Sequence, residues 1–181
     1  TTDTADGADA ENVWDSNFTA VHHMAGSSTT ITDSTGNGYT GTKTGSIDPT
    51  GTDGQVYKAQ SFDGINDYIS LGTSLGDFGA GDFTVSVLMK RDGSGGWRSL
   101  SKMTSNGRDG WYIQLYASGT VLFSNADGGS YKSLSYAGSY GQGYYLVTVT
   151  RDSGSGVLYV NGSPVDTGNI DHDISSGAVN L

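Results

Sequence analysis

Aspartate dominates the residues of this chain that could do chemistry. Acidic residues outnumber basic ones 19 to 9, for a formal charge of −10, yet Glu11 is the only glutamate. Retaining glycosidases need two carboxylates about 5 Å apart. With one glutamate in a polar terminus, and no strand-like stretch presenting Asp-x-Asp, that pair is not expected here. A zinc centre would have to combine His22, His172 and a carboxylate. The plainer expectation puts one ring of His22-His23 in the core, the other on the surface, and His172 in a turn. There is no cysteine, hence no disulfide and no thiolate. No Ser/His/Asp order and no phosphate loop stands out, so the chain reads as a non-enzyme.

Two oxygen-rich turns are the candidate metal sites. Calcium takes six to eight oxygens from carboxylates, amide oxygens and backbone carbonyls in tight turns. Asp33, Gly36, Asn37 and Gly41 supply such a pattern, and Asp63, Asn66 and Asp67 form a second choice. The alternative is that these side chains only make Asx-turns that brace their loops. Both readings stay open on sequence, with calcium as a structural cofactor in the first.

Sugar binding asks for exposed rings flanked by polar groups, since the apolar face of a sugar stacks on an aromatic. Trp97, Tyr131, Tyr136 and Tyr140 lie in Gly/Ser-rich loop or edge contexts and are the candidate platforms. Trp111 opens an alternating run with Ile113 and Leu115 and is expected in the core, while Trp14 is expected under the terminus.

The elements that must hold these residues are strands. Among 181 residues there are 29 glycines, and Ser, Thr, Asn and Asp fill most gaps between short apolar runs. Such composition suits many strands and turns and leaves little for long helices. In Phe83-Thr84-Val85-Ser86-Val87-Leu88-Met89 the period of two puts Phe83, Val85, Val87 and Met89 on one face. Residues 144–151 alternate likewise, with Tyr145, Val147 and Val149 together. Further strands are expected near 18–24, 39–44, 57–62, 68–71, 98–102, 111–116, 120–124, 131–135, 156–160 and 163–166. Asn161-Gly162 between the last two is a two-residue hairpin turn. Ten or more short strands with no helix between them predict an all-β, antiparallel two-sheet sandwich. Residues 1–13 read as a linker or ragged terminus, and 14–181 as one domain.

Four segments, taken in order, resemble the laminin-G-like, concanavalin-A-like lectin jelly-roll family. They are Asp33-Ser34-Thr35-Gly36-Asn37-Gly38-Tyr39-Thr40-Gly41, Ser61-Phe62-Asp63-Gly64-Ile65-Asn66-Asp67-Tyr68-Ile69, Asp82-Phe83-Thr84-Val85-Ser86-Val87 and Gly156-Val157-Leu158-Tyr159-Val160-Asn161-Gly162. The resemblance implies two stacked antiparallel sheets, and a structural calcium is often held at the loop corresponding to Asp33. It also implies one more strand than the sequence carries after Ala178-Val179-Asn180-Leu181, so an edge completed by adjoining domains or subunits is expected. The family setting is extracellular, at a cell or virion surface. The expected function is a non-catalytic, glycan-directed binding or adhesion module, the alternative being a purely structural spacer, decoration or assembly module. The acidic charge argues against nucleic acid, which needs a basic face, and no apolar run is long enough for membrane insertion.

Overall fold

The computed structural model describes residues 13–25, 29–44, 49–91, 98–138, 143–176 and 181, arranged as two compact units, Thr1–Leu75 and Gly76–Leu181. Among the described residues thirteen strands make up nearly all of the regular structure, and every pairing between them is antiparallel. Among the described residues no helix is long and apolar enough to cross a membrane.

In the second unit the sequence pattern translates directly into layers. One sheet orders β10 (Ser130–Ala137), β9 (Thr120–Asp127), β8 (Gly110–Leu115) and β7 (Arg98–Met103). The other orders β13 (Ser163–Asn169), β12 (Ser155–Val160), β11 (Tyr144–Asp152) and β6 (Phe83–Lys90). Alternation sends Trp111, Ile113, Val121, Phe123, Val147, Val149 and Leu158 inward, and each is 0% exposed. The sandwich interior follows from this, because successive side chains of a strand face opposite sides. Phe78 and Phe83 stack at 4.4 Å, and Phe78 lies 5.6 Å from Trp111, whose indole N–H donates to the Gly76 carbonyl at 2.8 Å. Asn161 and Gly162 both take positive φ, 52° and 79°, closing the β12–β13 hairpin as the dipeptide predicts.

Buried Arg151 ties the chain beyond β13 to this sandwich. Its guanidinium donates to the carbonyls of Gly79, Gly81 and His172 and lies 4.8 Å over the Phe83 ring. At the other side of the sheet β6 pairs with β11, and no other described strand pairs with it.

The first unit is built from shorter pieces. β1 (Thr30–Ile31), β2 (Gly41–Thr44) and β5 (Tyr68–Ser70) form one sheet, while β3 (Thr50–Asp53) and β4 (Lys58–Ser61) form a hairpin. Neither β1 nor β3 is among the strands expected from the sequence. Residues 18–24, expected as a strand, hold only an isolated bridge between His22 and Asp33. The buried apolar residues here are Ile31, Leu71 and Leu75. Gly41 permits their approach: a Cβ there would meet Ile69 Cγ2 and Leu71 Cδ2 at 2.8 Å.

Candidate functional site

The Asp33 loop is organised around one carboxylate. Asp33 is 7% exposed. Its Oδ1 accepts from the amides of Val21 at 3.1 Å and Thr35 at 3.0 Å, and its Oδ2 accepts from the Tyr39 amide at 3.1 Å. The Thr35 hydroxyl donates to both oxygens. Burial acts to raise the Asp33 pKa, but the donors from Thr35, Val21 and Tyr39 outweigh it and hold the carboxyl below its ordinary value. Asn37 donates its side-chain amide to the carbonyls of Phe18 and Thr19. A carboxylate has about four lone-pair sites, and here N–H and O–H groups converge on all of them. A donor set of this kind fits the bracing role of an Asx-type turn. Among the described residues no group of three or more His, Asp or Glu could hold a metal ion. The ring nitrogen Nε2 of His22 is engaged by the Tyr39 carbonyl at 2.6 Å.

The second oxygen-rich turn differs in what surrounds it. Between β4 and β5, Asp63 Oδ1 accepts from the amides of Ile65 at 2.8 Å and Asn66 at 3.3 Å, and Asp67 Oδ2 accepts from the Asp63 amide at 3.1 Å. The Ile65 amide is the main reason that the Asp63 carboxyl sits below its ordinary pKa; desolvation opposes it, and the Asn66 and Asp67 amides add to the lowering. Asp67 Oδ1 is buried and receives no hydrogen bond.

What the turn does present is apolar surface. Phe62 is 50% exposed, Ile65 80% and Tyr68 53%. Phe62 and Tyr68 stand on either side of the Asp63–Asp67 closure, so their backbones are held by the same hydrogen bonds. Tyr68 faces Thr44 across the β2–β5 ladder, with the exposed Thr42 further along that face. Exposed rings beside hydroxyls and carboxylates match what a sugar requires: C–H faces to stack and hydroxyls to bond. Tyr57 at the tip of the β3–β4 hairpin is a further exposed ring, with Lys58 Nζ 5.9 Å from its centroid.

The rings proposed from sequence fare differently. Tyr131 is half exposed on β10, and its hydroxyl donates to the Gly107 carbonyl. Tyr136 is partly buried and packs against the core of the second unit. Trp97, Tyr140 and Glu11 lie outside the described residues. Trp111 is in the core, as its alternation predicts. The exposed rings of Phe62 and Tyr68 escaped the sequence reading because Phe62 follows a strand and Tyr68 begins one, positions that look like core. The available pointer was their place on both sides of a turn with three oxygen-bearing side chains.

Residues 63–180 match a laminin-G family model described as the concanavalin A-like lectin/glucanases superfamily. Curated proteins offer no match. Among solved structures, domain 4 of AbnA, a GH43 extracellular arabinanase from Geobacillus stearothermophilus in complex with arabinotriose, is similar with a TM-score of 0.61 at 20% identity, covering 82% of this chain and 74% of that one. An S-layer domain-containing protein from Clostridium thermocellum is similar with a TM-score of 0.55 at 22% identity, covering 84% of this chain and 73% of that one. At such identities the likeness is one of fold.

Proposed function

Because the chain belongs to the concanavalin A-like lectin/glucanases superfamily, we propose that it is a non-catalytic carbohydrate-binding module of an extracellular or cell-surface protein. The observation that carries this reading is the exposure of Phe62, Ile65 and Tyr68 on a turn braced by Asp63 and Asp67. Stacking on such rings contributes about 1 kcal/mol beyond buried area. Tyr131 offers a second, half-exposed ring in the other unit.

The absence of a catalytic role in the proposal has its own support. Asp33, Asp63, Asp67, Asp77 and Asp109 each accept a backbone amide in or beside a loop, and Asp166 on β13 accepts that of Ser135 on β10, which gives each a bracing role. The arabinotriose complex of the arabinanase domain is consistent with glycan binding on this fold, and the arabinanase and S-layer contexts favour a location outside the cell. The S-layer likeness also favours a second reading, a structural module without a small ligand.

Affinity electrophoresis through gels containing neutral plant and bacterial polysaccharides separates the two. Binding should retard the wild-type chain, and Phe62→Ala with Tyr68→Ala should restore free mobility without changing the melting temperature. Retardation by none of the polymers would leave the structural reading.

A further inference from the structure

The ring-bearing surface has a charge character that sets which glycans it could accept, and the inference drawn from it rests on the glycan-binding reading above. We infer that the surface at residues 62–68 selects neutral glycan chains and turns away polyuronate and sulfated chains.

Between residues 49 and 75 the charged side chains are Asp53, Lys58, Asp63 and Asp67. Lys58 is the sole cation of that stretch, and its Nζ sits 2.6 Å from Asp53 at the far end of β4 from Phe62. The other lysine near this sheet, Lys43 on β2, is 6% exposed. It pairs with Ile69 in the ladder, so its side chain leaves the strand on the face opposite Thr42, Thr44 and Tyr68. The ring surface therefore carries carboxylates and no cation of its own among the described residues. Asp63 is exposed and remains ionised, since two backbone amides stabilise its charged form.

A neutral chain brings only C–H faces and hydroxyls to Phe62, Ile65 and Tyr68. Its hydroxyls can donate to Asp63 and exchange with Thr44, and no charge has to be desolvated. A polyuronate brings a carboxylate with every residue. Two like charges about 6 Å apart in water cost roughly a factor of three in affinity. Several such encounters along a chain multiply.

The test uses the full chain in affinity gels holding either a neutral panel (arabinan, xylan, mixed-link glucan) or polygalacturonate. Runs at about 10 mM and about 1 M salt set screening lengths near 30 Å and 3 Å. Retardation by a neutral polymer should be the same at both salts, with clearly weaker retardation by polygalacturonate at low salt. Asp63→Asn keeps an oxygen that can accept the turn amides and removes the charge. It should raise the ratio of polygalacturonate to neutral retardation about threefold at low salt. Asp127→Asn, an exposed charge in the other unit, should leave that ratio alone. Wild-type retardation by polygalacturonate equal to that by the neutral panel overturns the selectivity while glycan binding stands. A ratio unmoved by Asp63→Asn, or moved equally by Asp127→Asn, also overturns it. Retardation by no polymer of either kind removes the glycan-binding reading and this inference together.

Discussion

The two units of this chain solve the problem of stability with different materials. From Gly76 onward, strands of six to nine residues leave Trp111, Ile113, Val121, Phe123, Val147, Val149 and Leu158 fully buried. Each such side chain contributes about 1.5–3 kcal/mol by leaving water. Before Gly76 the strands run two to four residues, and the buried apolar residues are Ile31, Leu71 and Leu75. In their place, carboxylates organise loops: Asp33 gathers donors from Val21, Thr35 and Tyr39, and Asp63 and Asp67 close the turn before β5. The apolar side chains Val56, Tyr57, Phe62, Ile65 and Tyr68 are left facing solvent. A region held by polar braces can spare its rings for a partner, whereas a region held by its rings cannot.

The comparison breaks first at Trp111. Trp111→Ala removes the indole stacked with Phe78 and leaves the Gly76 carbonyl without its donor. A loss of about 3–5 kcal/mol is expected, read as a large fall in melting temperature and in near-ultraviolet dichroism. A loss under about 1 kcal/mol would mean that the core is not the support of the second unit.

Asp33→Ala is expected to cost somewhat less, about 2–3 kcal/mol, because a charged acceptor of several N–H groups is lost from a buried site. The loss should be the same with and without EDTA. A loss that vanishes in chelator would return the loop to calcium. Acid provides a finer version of the same experiment. The folded Asp33 pKa is depressed, so its contribution is complete above the unfolded value near 3.9 and disappears as pH falls through the lower folded value. Between about pH 5.5 and 7 Asp33 should therefore add almost no pH dependence, and its contribution should fade progressively below about pH 5. Asp33→Ala should flatten that acid limb.

The smallest expected effect is at Tyr68. Half-exposed, it should change stability by no more than about 0.5 kcal/mol when replaced by alanine. A larger loss would make its ring part of the packing of the first unit and weaken the contrast between the units.

Much of the fold is legible in the residues. Strand β6 and strand β11 bury the faces their alternation marks, and Asn161-Gly162 forms the hairpin that the dipeptide predicts. The first unit was harder to read. The segment at residues 50–53, Thr-Gly-Thr-Asp, is exposed at every position, so it has no apolar period to announce a strand. Residues 18–24 have the period but make only the His22–Asp33 bridge, because alternation describes a face and not a pairing partner.

The sequence by itself determined an acidic, cysteine-free chain of antiparallel strands with a packed sandwich in its second half, since a period of two and turn chemistry are local properties. Tertiary structure alone decided the roles of the polar loops and the rings. Asp33 is a brace because amides from residues 21, 35 and 39 converge on it, two of them distant in sequence. Tyr136 is drawn toward the core while Tyr68 stays in water, although both are tyrosines at or next to the end of a strand. Local patterning says that a side chain can be buried; only the elements packed beside it decide whether anything covers it.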